Sequence, residues 1–374
     1  MEVKYNDLGA QWKTIQDDAL PKLIDFFNRG WYVQGKEVSE FEEKFSEYTG
    51  TKYSVGVSNG TDALKLALRV LDLDGTVDVI IQANGYIADP FSVMYQTNAD
   101  YKITFIDCNE HLQLDVNLLE EHLEKNRHKN KHCVIIPIHM YGHPSDMKAV
   151  MDLSEKYDCK VIEDASQAHG ARCYGQMVGS FGDLTAYSLY PGKNLGAMGD
   201  AGVITTNNQE YYDKLKMLRE YGSKKKYHHD VLGWNNRMDT LQAILLSEKL
   251  VYLDEWNDGR NDIAKVYDAE LSKFGIVPKV ADYVDKHAYH IYLVSSDFRD
   301  SMQQHLNIND VPTVIHYPIP LQETKVLSSM NHLYENNLSK SYSKKILSLP
   351  IHPYMDESQA MFVADKVKEF YAQV

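Results

Sequence analysis

Short runs of aliphatic and β-branched residues alternate with stretches of helical periodicity through the first two thirds of the chain. Residues 77–81, 103–106, 134–138, 160–163, 185–189 and 202–205 read as strands. Between them, apolar positions recur at helical spacing over 61–71, 88–97, 116–125, 146–157 and 209–221. This order predicts an α/β fold: a mostly parallel central sheet flanked by helices on both faces. Ligands in such sheets collect at the carboxyl ends of the strands.

From residue 238 to 252 the pattern becomes a long amphipathic helix that includes Leu241, Ile244, Leu245, Lys249 and Leu250. A domain boundary is expected at its end, giving a large domain over 1–253 and a smaller α+β domain over 254–374. The smaller domain has strand candidates at 289–294 and 313–315. The lysine-rich run 222–229 reads as a solvated loop, or as a loop that steers a nucleotide diphosphate.

At 374 residues the chain is long enough for two domains. A net charge of −14 argues against nucleic acid or an anionic membrane surface as main partner, but not against a small anionic ligand held by local donors. No apolar run approaches the ~20 residues that span a bilayer, and the first residues show no signal-peptide pattern, so a cytoplasmic protein is expected. The four cysteines are widely spaced without a Cys-x-x-Cys, which points to buried free thiols and no metal site.

The chemistry is concentrated at a few positions. A predicted strand ends in Glu163-Asp164, and Lys193 follows another strand in a glycine-rich loop, Pro191-Gly192-Lys193-Asn194-Leu195-Gly196. A strand-end carboxylate and a loop lysine, in that order, suit pyridoxal phosphate. The lysine forms a Schiff base with the cofactor aldehyde, and the carboxylate keeps the pyridinium nitrogen protonated. Burial and nearby positive charge are expected to lower the Lys193 pKa. Ser58-Asn59-Gly60-Thr61 precedes a helix and reads either as an ordinary cap or as a phosphate cradle formed by Gly60 and Thr61. Gln167 is a contact for the ring hydroxyl or a surface amide. Tyr86 is a ring-stacking residue or a core aromatic. Ser188 is a second phosphate donor or a plain strand serine. Asn235 and Arg237, at the entry of the long helix, suit a phosphate or carboxylate, or simply the helix start. His316-Tyr317 and the segment from His287 to His290 line a substrate pocket or are structural.

These motifs together resemble the nucleotide-sugar aminotransferases of the DegT/DnrJ/EryC1/StrS family. The resemblance runs from Trp31-Tyr32-Val33-Gln34-Gly35 through Ser58–Leu64, Pro137–Gly142, Glu163–Gly170 and Lys193 to Leu349-Pro350. It implies the type I PLP-dependent aminotransferase fold and a homodimer whose active sites are shared between subunits. Lys193 is then the cofactor-bearing lysine, Asp164 the pyridinium partner and Gln167 the ring-hydroxyl contact. Tyr86 stacks on the ring, while Gly60, Thr61 and Ser188 hold the phosphate. The Asn235–Arg237 segment would reach the other subunit's cofactor. Tyr221, His316 and Tyr317 are the candidate substrate residues. The segments 190–202, 221–223 and 253–257 are most similar to the branch that aminates dTDP-3-keto-6-deoxyhexoses from L-glutamate, giving sugars of the Qui3N or Fuc3N type for surface glycans. Amination at C4 of a dTDP- or UDP-4-keto-6-deoxyhexose is the alternative. Relatives with histidine in place of the lysine act as dehydratases, which Lys193 disfavours. Ser166 stands where many relatives have alanine.

Overall fold

The computed structural model describes residues 1–329, 333–334 and 337–374. Two helices come first, α1 (Leu8–Arg29) and α2 (Lys36–Thr49). Asp7 caps α1 by accepting the Ala10 N–H at 2.9 Å, and Gly30 ends it at φ 67°, a left-handed turn that favours glycine.

The central sheet is built from β1 (Tyr53–Val57), β2 (Thr76–Gln82), β3 (Asp100–Ile106), β4 (His132–Ile136), β5 (Lys160–Asp164), β6 (Leu184–Ser188) and β7 (Gly202–Thr206). Its order is β1-β7-β6-β5-β4-β2-β3, with Leu333–Tyr334 added parallel to β3. Pairing is parallel from β6 to β3; β7 runs antiparallel to both β1 and β6. The mostly parallel α/β sheet expected from the sequence is therefore present. Period-two alternation sends Val79, Ile81, Ile136 and Ile162 into one core and Ile80, Ile135 and Val161 into another. Both faces are thus buried, which accounts for strands that are apolar almost throughout.

The helices between strands are α3 (Gly60–Val70), α4 (Ala88–Met94), α5 (Val116–Asn126), α6 (Met147–Tyr157) and α7 (Gln209–Leu218). They correspond to the five expected from periodicity, with shifted ends. The helix expected over 238–252 is α8 (Thr240–Leu250), but it is not amphipathic. It packs on α1 and α2 and buries most of its length, Lys249 included. The lysine-rich run is a short exposed hairpin, Ser223–Lys225 against His228–His229, rather than a plain loop.

Beyond α8, α12 (Glu357–Tyr371) packs with both α9 (Leu253–Leu271) and α10 (Arg299–Ile308); a short α11 (Leu338–Ser343) lies between α10 and α12 in sequence. A two-stranded antiparallel sheet pairs β8 (Tyr292–Ser295) with β9 (Ile346–Leu349). Tyr267, Tyr292, Leu347, Leu349, Val363 and Val367 share one core there. The strand expected at 289–294 starts late because Tyr289 sits at φ 41°, outside the extended region. The strand expected at 313–315 is reduced to one bridge, Val314 to Ser348.

Beside Asp164, the fully buried Glu163 ties the sheet to the turn before β6. Its oxygens accept the N–H groups of Gly179, Phe181 and Gly182 at 2.8–2.9 Å and lie 3.2 Å from His139 Nε2. His139 Nδ1 accepts the Ser145 N–H at 3.0 Å, so Nε2 carries the proton that faces Glu163. Burial raises the Glu163 pKa, but His139 and the backbone N–H groups outweigh it and hold the carboxyl below its usual value. The resulting stabilisation is complete above the unfolded-state value of about 4.3 and is lost as pH falls through the lower folded-state value. Glu163→Ala should therefore cost about 3 kcal/mol in urea unfolding at neutral pH. The gap to the parent should narrow in acid.

Candidate active site

The loops after β1, β2, β5 and β6 surround one cavity of about 490 Å³ at the carboxyl side of the parallel strands. Asp164, Gln167, Ser188 and Lys193 line it, together with Gly60, Thr61, Tyr86 and Tyr317. Eight residues singled out from the sequence therefore meet in one place.

One end of the cavity is the start of α3. Asn59 Oδ1 accepts the Asp62 N–H at 2.8 Å and the Asn59 carbonyl accepts Ala63 N–H at 3.0 Å. The amides of Gly60 and Thr61 remain to serve a ligand in the cavity, and a helix N-terminus favours an anion. A Cβ at Gly60 would lie 2.6 Å from the Ser188 Cβ, so only glycine permits this approach. Asp62 is held by Ser58, Lys65 and Asn236, whose Nδ2 lies 2.6 Å away.

Asp164 ends β5 and is 5% exposed; its Oδ1 accepts the Ser166 N–H at 2.9 Å. Ser166 Oγ in turn accepts the Ser188 N–H at 3.2 Å, which links β5 to β6. Gln167 Oε1 accepts the Tyr141 N–H at 2.6 Å, leaving Nε2 toward the Tyr317 hydroxyl at 3.4 Å. Tyr86 is 53% exposed, with its ring 5.5 Å from that of Tyr317.

Lys193 sits on a turn closed by its own N–H to the Tyr190 carbonyl at 2.8 Å. Burial lowers its pKa to about 8, while the Asp164 charge pulls it up. Among the described residues, the expected help from neighbouring positive charge is not found. His169 is 1% exposed and pushed down to about 3, first by burial and then by Lys193, and the same two causes hold His290 well below its usual value. Both rings are neutral, so desolvation alone lowers the lysine.

Other candidates lie elsewhere. Tyr221 and Arg237 line a separate cleft with Lys224, Lys226 and His229; Arg237 pairs with Glu220 at 2.9 Å and lies over the Tyr221 ring. Asn235 is exposed and bridges Glu220 through its backbone. His316 is not among the residues lining the cavity: its Nδ1 is 2.8 Å from Ser348 Oγ, and burial lowers its pKa to about 4. Among the described residues, no cluster of potential metal ligands is present and no helix is long and apolar enough to cross a membrane. The four cysteines are free thiols.

Sequence reasoning missed Asp89, in the first turn of α4, which is fully buried beside Asp164. Its only signal was an acidic residue ahead of Pro90 at a helix start, a place where Asp is ordinary.

Residues 13–368 match the model of the DegT/DnrJ/EryC1/StrS aminotransferase family. The chain is 34% identical, over its whole length and 97% of the relative, to a dTDP-3-amino-3,4,6-trideoxy-alpha-D-glucose transaminase of Streptomyces venezuelae. It is 40% identical over 91% of its length, and 92% of the relative, to a dTDP-3-amino-3,6-dideoxy-alpha-D-galactopyranose transaminase of Aneurinibacillus thermoaerophilus. The crystal structure of S. venezuelae DesV in complex with a ketimine intermediate superposes with a TM-score of 0.92, at 34% identity, covering 100% of this chain and 99% of that one. The chain belongs to this aminotransferase family and has its fold.

The lowered Lys193 pKa is directly measurable. Acylation of Lys193 by a lysine-selective reagent, followed by peptide mass spectrometry, should rise to a plateau with a midpoint near pH 8, against 10.5 for an ordinary lysine.

Proposed function

We propose that this aminotransferase moves an amino group from L-glutamate to C3 of a dTDP-3-keto-6-deoxyhexose. The product is a dTDP-3-amino-3,6-dideoxyhexose of the Qui3N or Fuc3N type, for surface glycans, and the cofactor is pyridoxal phosphate. The observation that carries the proposal is the meeting of Lys193, Asp164 and the first turn of α3 in one cavity. The choice of C3 and dTDP rests on the two transaminase relatives, each named for a dTDP-3-amino sugar.

The residues fit the cofactor. A side-chain-free helix start suits its phosphate, a buried carboxylate suits its ring nitrogen, and an amine near neutrality suits its aldehyde. When bound, pyridoxal phosphate supplies an electron-withdrawing ring that stabilises negative charge at an adjacent carbon. Lys193 then takes the proton from the α-carbon of glutamate and, in the second half-reaction, delivers one to C3 of the sugar. Asp164 would set its carboxylate against the ring nitrogen. Gln167 Nε2 would donate to the ring hydroxyl, Tyr86 would cover the ring face, and Ser188 would add a donor to the phosphate cradle.

The cleft of Tyr221, Lys224, Lys226 and Arg237 suits a nucleoside diphosphate. Its separation from the Lys193 cavity fits an active site shared between two subunits, with Asn235 and Arg237 serving the partner. A homodimer is further supported by the exposed Ile24, Phe27, Trp31, Tyr32 and Val33, 49–64% accessible around the end of α1. Sedimentation should therefore give twice the chain mass. We also propose the division into 1–253 and 254–374, in keeping with the separate core around β8 and β9.

Two experiments test this function. Lys193→Ala should lower turnover more than about 10³-fold while leaving the fold intact. Given L-glutamate and, separately, a dTDP-3-keto- and a dTDP-4-keto-6-deoxyhexose, the enzyme should place the amine at C3 by NMR. An amine at C4 only would overturn the choice of carbon.

A further inference from the structure

Asp89 has no place in the chemistry described so far. It lies in the first turn of α4 with no exposed surface. Neither of its carboxyl oxygens meets a donor from another residue among the described residues; only its own backbone N–H faces the carboxyl. The titratable groups that face it come from three other segments: Asp164 at the end of β5, Lys193 in the loop after β6, and the Tyr317 phenol. Of these, Asp164 is in hydrogen-bonding reach.

Two ionised carboxylates cannot hydrogen-bond, because each only accepts. Two buried negative charges in contact also repel in a medium that screens them poorly. A single proton on one member removes both penalties, as in other buried carboxyl pairs. Asp164 is the better-supported anion, since its Oδ1 already accepts the Ser166 N–H. Asp89 has only its own backbone N–H, and burial together with the Asp164 charge outweighs it and raises the Asp89 pKa well above the usual carboxylate range.

We infer that Asp89 is a neutral carboxylic acid that donates its O–H to the Asp164 carboxylate, and so is a positioning residue for the group that pairs with the cofactor's ring nitrogen. The bond fixes the orientation of Asp164 and leaves its charge for the ring. No proton leaves the pair. The role toward the ring rests on the function proposed above; the protonated pair does not.

Two variants separate this reading from a structural one. Asp89→Asn keeps a neutral donor toward Asp164, whereas Asp89→Leu keeps the shape and removes the donor. In the cofactor-free protein near neutral pH, the infrared difference spectrum of parent minus D89N should show the C=O stretch of a protonated acid. Absence of that band overturns the inference, whatever the cofactor or substrate proves to be. Pyridoxal phosphate affinity, by fluorescence titration, should be nearly unchanged in D89N and weaker by about tenfold in D89L. Equal losses in both variants mean that a second negative charge is what the site uses, and also overturn it. If the parent binds no pyridoxal phosphate, the positioning role fails with the proposed function, and the infrared band still decides the protonated pair.

Discussion

A buried lysine amine and the Asp164 carboxylate meet at one cavity, with the fully buried Asp89 carboxyl behind Asp164, and much of the surrounding structure serves to hold them there. Desolvation favours the neutral amine, and the Asp164 carboxylate favours the charged one; the balance lies at about 8. A looser site would let water in and return Lys193 to an ordinary lysine. The turn that carries it is braced from below. Gly196 packs so tightly that a Cβ there would lie 2.3 Å from the Pro191 carbonyl oxygen. Lys249 of α8, 2% exposed, donates to the Gly196 carbonyl at 2.6 Å and to Gln11 of α1 at 2.7 Å. One buried lysine thus ties two helices to the loop that bears the other.

The sheet places the remaining groups. Because β5 and β6 run parallel, their carboxyl ends release Asp164 and the Ser188–Lys193 loop on the same side. β7 reverses direction against β6 and closes the sheet toward β1, whose end leads directly into the Ser58–Thr61 turn. The phosphate cradle and the lysine loop are therefore neighbours in space although more than a hundred residues apart in the chain. Glu163, one residue before Asp164, points to the opposite face of the strand and anchors it there.

The parallel strands and the Asp164–Lys193 pair were legible in the sequence because both leave local marks: uninterrupted aliphatic runs, and a strand-end Asp followed by a glycine-flanked lysine. β1 was not recognised, since Tyr53-Ser54-Val55-Gly56-Val57 mixes Ser and Gly into the run and owes its order to β7 and to Glu42, whose Oε1 accepts the Gly56 N–H at 2.8 Å. Lys249 read as a position on an amphipathic helix; only packing on two sides makes it a buried donor. Asp89 and the neutral state of His169 and His290 depend on burial and on neighbours distant in sequence. No pattern around them distinguishes such residues from a helix-start acid or a structural histidine.

The central claim is that Lys193, and no other lysine, bears the cofactor in this cavity. The most direct measurement is borohydride reduction of the protein incubated with pyridoxal phosphate, followed by proteolysis and mass spectrometry. The account predicts a phosphopyridoxyl group on the peptide containing Lys193 and on no other. A modified Lys249 or Lys224 with an unmodified Lys193, or no modification at all, would contradict it.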